Sequence, residues 1–347
     1  MKATVYHAAG DVRVETVPDP KIQDAKDAIV RVVNAAICGS DLWAYRGVSK
    51  GEPGTRTGHE FIGIIEETGS DVKKFKKGDF VAAPFNFSDG DCTFCLEETY
   101  NSCVHVGYWG GQNDGGQGQF VRVPFADATL STIPDAVGHD QSKRTSALAL
   151  TDVMSTGHHG NVRARVKAGG SVVVIGDGAV GLCGVLAAKR LGAERIIAVG
   201  HHASRLEIAK TFGATDIVDS KADDAKEQII EMTKGGPQSV VEAVGGQDTL
   251  NFAISICRPG GNVSYVGIPH GTTSFDARRL FIDNISIGGA IAPAHKYIDE
   301  LMADVASGKI DPSPVFTMRL PLEESPAGYK AMSDRTAIKV VLDISSL

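Results

Sequence analysis

Apolar and polar positions fall into two regimes along the chain. From Lys2 to about Phe125, short runs rich in β-branched residues (28–33, 61–66, 80–83 and 120–123) are separated by Gly, Pro and Asp, which predicts an all-β region. From about Asp152 the period changes. Residues 171–175 are a continuous apolar run, 179–191 have helical spacing and 195–199 are apolar again; the alternation continues through 203–212, 216–218, 223–233, 239–244 and 262–268. Strand, helix and strand at that rhythm predict a doubly wound parallel sheet covered on both faces. An amphipathic helix over 295–307 and a last strand over 337–344 close the chain.

At roughly 150 residues per domain, 347 residues suggest two domains, each with its own core. The formal net charge of −7 repels phosphate backbones and anionic lipid, so neither nucleic acid nor a membrane is an expected partner. No apolar run reaches the ~18 residues of a membrane span, and the first ten residues lack a signal-peptide core. The expected location is the cytoplasm. There, grouped thiols read as metal ligands before disulfides, and Cys92, Cys95 and Cys103 are grouped. Cys183 and Cys257 read as small core hydrophobes.

Gly176-Asp177-Gly178-Ala179-Val180-Gly181 satisfies G-x-G-x-x-G between a predicted strand and a predicted helix. One glycine makes the turn, the next admits a pyrophosphate to the backbone, and the third lets helix meet sheet at a helix N-terminus that favours anions. The expected ligand is a dinucleotide. The following strand ends Val199-Gly200-His201-His202, without the acid that holds an NAD ribose 2′-hydroxyl. Gly200 leaves space, and His201, His202 and Arg205 suit a 2′-phosphate, so NADP(H) is favoured over NAD(H).

Cys38-Gly39-Ser40-Asp41 follows a predicted strand, and Gly58-His59-Glu60 comes about 20 residues later. Together they offer a thiolate, an imidazole and a carboxylate, donors that Zn²⁺ accepts. The stretch Gly58-His59-Glu60-Phe61-Ile62-Gly63, followed by Gly69 and Val72, resembles the signature of the zinc-dependent alcohol dehydrogenases of the medium-chain dehydrogenase/reductase superfamily. Cys38-Gly39-Ser40-Asp41, the cysteine cluster, residues 151–157 and the glycine fingerprint come in that family's order, so the resemblance spans essentially the whole chain.

The resemblance implies an α/β plus β fold: a GroES-like β-rich catalytic domain over 1–151, completed by 292–347, and a Rossmann domain over 152–291, with a catalytic zinc in the cleft between them. It implies Cys38, His59 and Asp152 as zinc ligands, Glu60 nearby as an occasional ligand, and Ser40 as the hydroxyl that takes the alcohol proton. Trp43 stands where many relatives continue that relay with histidine. Cys92, Cys95 and Cys103, with Asp89 in place of a first cysteine, resemble the family's structural zinc lobe; His105 as fourth ligand, or a lobe without metal, are the alternatives. Lys339 matches a basic residue that approaches the cofactor phosphates, and Gly267, Ile268, Ala290 and Ile291 match strand ends beside the nicotinamide. His158 and His159 belong to the interdomain helix, with one able to face the cleft. Phe85, Tyr108 and Trp109 are candidates to line the substrate cleft.

The implied activity is hydride transfer between a small alcohol or carbonyl and NADP(H), by a homo-oligomer that is a dimer or tetramer. An NAD-dependent polyol, sugar or amino-alcohol dehydrogenase of the same superfamily is the second reading. A non-catalytic nucleotide-binding redox sensor is the third.

Overall fold

The computed structural model describes every residue except Gln112, His270, Thr272, Ala290 and Leu347. It divides into two compact units: Met1–Asp152 with Pro293–Leu347, and Val153–Ala292.

In the first unit a seven-stranded sheet runs in the order Phe316–Pro321, Lys339–Asp343, Ala28–Ile37, Glu60–Thr68, Phe80–Ala83, Ser131–Thr132, and Phe120–Val123 also pairs with Ala28–Ile37. The strand predicted at 28–33 continues to Ile37, and its neighbour runs from Glu60 to Thr68. All but one residue of Ala28–Ile37 are buried (AIVRVVNAAI), and such a near-continuous apolar strand belongs at a sheet's centre. Val30, Val32, Ile37, Phe61, Ile65 and Tyr329 sit in its core. The hairpin of Lys2–Ala8 with Asp11–Thr16 forms a separate two-stranded sheet.

The second unit is a six-stranded, wholly parallel sheet in the order Asp216–Asp219, Arg195–Gly200, Ser171–Ile175, Ser239–Glu242, Asn262–Tyr265, Ser286–Gly289. Numbered within the unit this is 3-2-1-4-5-6, the order that binds dinucleotides outside the carboxyl ends of its strands. The sixth strand, Ser286–Gly289, leaves no periodicity signal because two of its four residues are glycine and none is fully buried. The helix Val153–Arg163 crosses close to Ala179–Arg190: a Cβ on Gly157 would lie 2.6 Å from the Gly184 nitrogen, and Asn161 donates to the carbonyls of Gly157 and Gly184. That crossing explains the buried Gly157; His158 and His159 of the same helix are buried as well.

Candidate functional site

Antiparallel pairing assembles the first cluster. Ala36 lies opposite Glu60 in one pairing and Ile37 opposite Val340 in the other, so the residues at these strand ends, Cys38, His59, Glu60 and Lys339, meet at one place. Asp152, beyond the helix Gln141–Leu150, completes the group. One donor atom from each of Cys38, His59, Glu60 and Asp152 lies within 4.8 Å of every other. Cys38 Sγ is 3.2 Å from Asp152 Oδ2, and His59 Nε2 is 3.4 Å from the same oxygen. On the far side of the ring, His59 Nδ1 lies 3.3 Å from Asp41 Oδ1.

Asp41 is itself held by the Cys38 N–H at 3.0 Å and by the Gln117 amide at 3.1 Å. A carboxylate behind an imidazole orients the ring and makes it more basic, as is usual for metal-ligating histidines. Neither Asp41 nor Gln117 is singled out from the sequence; the acid three residues after Cys38 was the available signal. Ser40 precedes the short helix Asp41–Tyr45, which carries Trp43, and lines a cavity of about 200 Å³ with Asp41, Gly58 and Tyr329.

Burial drives the charges. It pushes the Cys38 thiol up to about 11, with the Asp152 carboxylate adding to the shift. Asp152 is held near 2 by His59, which outweighs the opposing cost of burial. Burial opposes a charged His59, but the charge of Asp41 and the contact to Asp152 outweigh it, so its pKa lies well above the ordinary value. Burial raises Glu60 despite Lys339. Glu60 Oε2 is buried with no hydrogen-bond partner, an arrangement that calls for a cation or water. A soft sulfur, an imidazole backed by a carboxylate and two carboxylates within one ion's reach fit zinc.

Lys339 does not have the placement expected of a phosphate ligand. It is 1% exposed, lies 2.5 Å from Glu60 Oε1 and donates to the Ile37 carbonyl at 3.3 Å. Both groups are committed within the sheet, where this lysine balances the buried Glu60 carboxylate. Trp109 is largely buried, donating to the Pro84 carbonyl and meeting Phe61 and Phe87 edgewise or tilted, and it also lines the cavity that Ser40 lines, while Phe85 stacks on half-exposed Tyr108.

The lobe residues Asp89, Cys92, Cys95 and Cys103 also place one donor atom each within 4.8 Å of the rest. None of the six cysteines is in a disulfide. Burial raises the Cys103 thiol, opposed by the N–H groups of Asp89 and His105, which Cys103 Sγ accepts at 3.3 Å each. His105 Nδ1 lies 2.8 Å from Asp89 Oδ2, so the imidazole backs the carboxylate and does not replace it. With the N–H groups of Asp91 and Cys92, this contact holds Asp89 far below the usual carboxylate range despite burial.

In the second unit, Gly176 follows the first strand at φ +116°, where only glycine is at ease. A Cβ on Gly181 would lie 2.0 Å from the Gly176 carbonyl oxygen, whereas one on Gly178 would meet nothing within 4 Å. Gly178 thus bares the N-terminus of the helix Ala179–Arg190, with Ala179 and Val180 in its first turn, and this open backbone fits a pyrophosphate. His201, His202 and Arg205 follow the second strand, and Gly267 and half-exposed Ile268 follow the fifth, all at carboxyl ends of the sheet. Ile291 is half-exposed; Ala290 lies outside the described residues. The space expected at Gly200 is filled: a Cβ there would lie 2.7 Å from Asp177 Oδ2.

The parallel sheet and the two groups of four donors fit a zinc-dependent dehydrogenase. Family models for the alcohol dehydrogenase GroES-like domain and the zinc-binding dehydrogenase match residues 24–135 and 179–307. The chain is 34% identical to an uncharacterised zinc-type alcohol dehydrogenase-like protein of Bacillus subtilis, over 99% of this chain and 100% of that one. It is 35% identical to the NADP-dependent isopropanol dehydrogenase of Clostridium beijerinckii, over 84% of each. Alcohol dehydrogenase TADH from Thermus sp. ATN1 superposes with a TM-score of 0.94 at 35% identity, covering 99% of this chain and 100% of that one. The chain belongs to the zinc-dependent alcohol dehydrogenase family of the medium-chain superfamily, and it is an oxidoreductase.

Proposed function

We propose that this chain transfers hydride between a small alcohol, or the corresponding aldehyde or ketone, and a nicotinamide dinucleotide. Cys38, His59 and Asp152 would hold the catalytic zinc, with Glu60 adjacent, and Asp89, Cys92, Cys95 and Cys103 a structural one. The observation that carries this reading is the cluster of thiol, imidazole and carboxylate on a single point, with Asp41 behind the ring. Zinc supplies Lewis acidity that lowers the pKa of an alcohol.

The chain's own residues do the rest. Asp41 keeps His59 aimed through Nδ1. Ser40, next to that acid and on the cavity wall, would accept the alcohol proton and pass it outward; Trp43 cannot continue a relay as a histidine would, so water takes the proton onward. The fingerprint turn at Gly176, Gly178 and Gly181 would seat the pyrophosphate. A small secondary alcohol is favoured by the isopropanol named for the Clostridium relative. That relative also supports NADP(H), the cofactor expected from the sequence, but the carboxylate over Gly200 weighs against a 2′-phosphate at that corner. Cysteines without a disulfide suit a reducing compartment, and a homo-oligomer belongs to the same reading.

The test is turnover of an alcohol and carbonyl panel by zinc-loaded, zinc-stripped and Cys38→Ser protein. Activity should fall at least about 100-fold on stripping or substitution and return when zinc is restored to the native chain. Undiminished turnover without zinc sinks the proposal.

A further inference from the structure

In a dinucleotide-binding sheet the second strand ends at the adenosine ribose, normally with an acid that takes the 2′-hydroxyl. Gly200 offers no side chain for that purpose. A carboxylate stands there all the same, delivered from the variable position of the glycine fingerprint. A Cβ on Gly200 would lie 2.7 Å from both Cβ and Oδ2 of Asp177. Asp177 Oδ2 accepts the backbone N–H groups of His201 and His202 at 2.9 Å each. Nδ1 of His202 is 2.9 Å from the same oxygen and 3.1 Å from Oδ1, and the Arg205 guanidinium is 3.7 Å from Oδ1.

Two consequences bear on the cofactor. The amide and cationic donors that a 2′-phosphate needs at this corner are already turned toward a protein carboxylate, so their charge is balanced before any ligand arrives. A phosphate placed there would also meet a like charge only 9% exposed, where repulsion is weakly screened. A hydroxyl meets the opposite situation. It is a donor, and an ionised carboxylate has about four acceptor sites, of which Oδ1 retains capacity. The backbone donors and His202 hold Asp177 ionised, below the usual carboxylate range, against the cost of burial.

We propose that Asp177 determines the cofactor specificity of this chain: its carboxylate, carried over Gly200 by the fingerprint loop, stands in for the missing strand-end acid and makes the site prefer NAD(H) to NADP(H). This rests on the dinucleotide-binding reading above. The experiment is calorimetric binding of NAD⁺ and NADP⁺, and of the fragments 5′-AMP and 2′,5′-ADP, to zinc-loaded protein without turnover. The native chain should bind NAD⁺ at least about tenfold tighter than NADP⁺. Asp177→Asn, or Asp177→Ser should the first variant fold poorly, should narrow that ratio by at least about tenfold through a gain for NADP⁺ and 2′,5′-ADP. Native protein that binds NADP⁺ as tightly as NAD⁺ or tighter overturns the proposal, as do folded neutral variants that keep the native ratio. Binding of neither dinucleotide removes the cofactor reading itself, and the proposal with it.

Discussion

Each buried group at the metal cluster is set by its neighbours, and the settings have a sign that can be measured. Without zinc, Cys38 keeps its proton at neutral pH because burial holds its thiol near 11, Asp152 is already ionised, and the carboxylates around His59 favour its protonated form. Zinc takes the thiolate and the neutral imidazole. Loading the cluster at pH 7 should therefore release at least about one proton, and affinity should rise with pH by at least about one decade per unit. Calorimetry of zinc binding in buffers of different ionisation enthalpy counts them; release of less than about one contradicts the assignment. Below the cluster, Lys339 and Glu60 form an ion pair with both partners essentially sealed from water. Lys339→Met leaves a carboxylate buried without its partner and should cost about 3–5 kcal/mol, much of it recovered in the double variant with Glu60→Gln. Urea unfolding followed by tryptophan fluorescence reads this directly, since Trp43 and Trp109 are the chain's only tryptophans and both lie in the unit that holds the pair. An undisturbed Lys339→Met would mean that Glu60 is carrying a proton.

At the scale of the element, the fingerprint turn separates what folding needs from what binding needs. Gly176 and Gly181 are required by the chain itself, one for its positive φ and the other because any side chain would strike the Gly176 carbonyl. Gly178 is different. Its φ of −78° and ψ of 175° suit any residue, and a Cβ there would touch no protein atom. Gly178→Ala should leave the fold intact or stabilise it by about 0.4–1 kcal/mol through the unfolded state, yet weaken dinucleotide binding at least about tenfold. Thermal unfolding alongside calorimetric titration makes the comparison; unaltered binding would show that the ligand's phosphates lie elsewhere.

The whole molecule is expected to hold two zinc ions per chain, because two separate groups of four residues bring their donor atoms within 4.8 Å. Elemental analysis of purified protein should give about two, and about one for Asp89→Ala with the catalytic ion retained. One ion in the native chain that Asp89→Ala leaves in place would assign the lobe to packing alone. Periodicity along the sequence determined the two fold regimes, and motif spacing the fingerprint, because period and glycine placement are local consequences of backbone sterics. Family order supplied Cys38, His59, Asp152 and the lobe. Only the tertiary structure decided where Asp177 and Lys339 point. A carboxylate in a loop and a lysine on a strand look the same in sequence whether solvated or paired, and their partners lie 25 and 279 residues away, at His202 and Glu60. Charges buried that far apart along the chain find one another only once sheet register has been set.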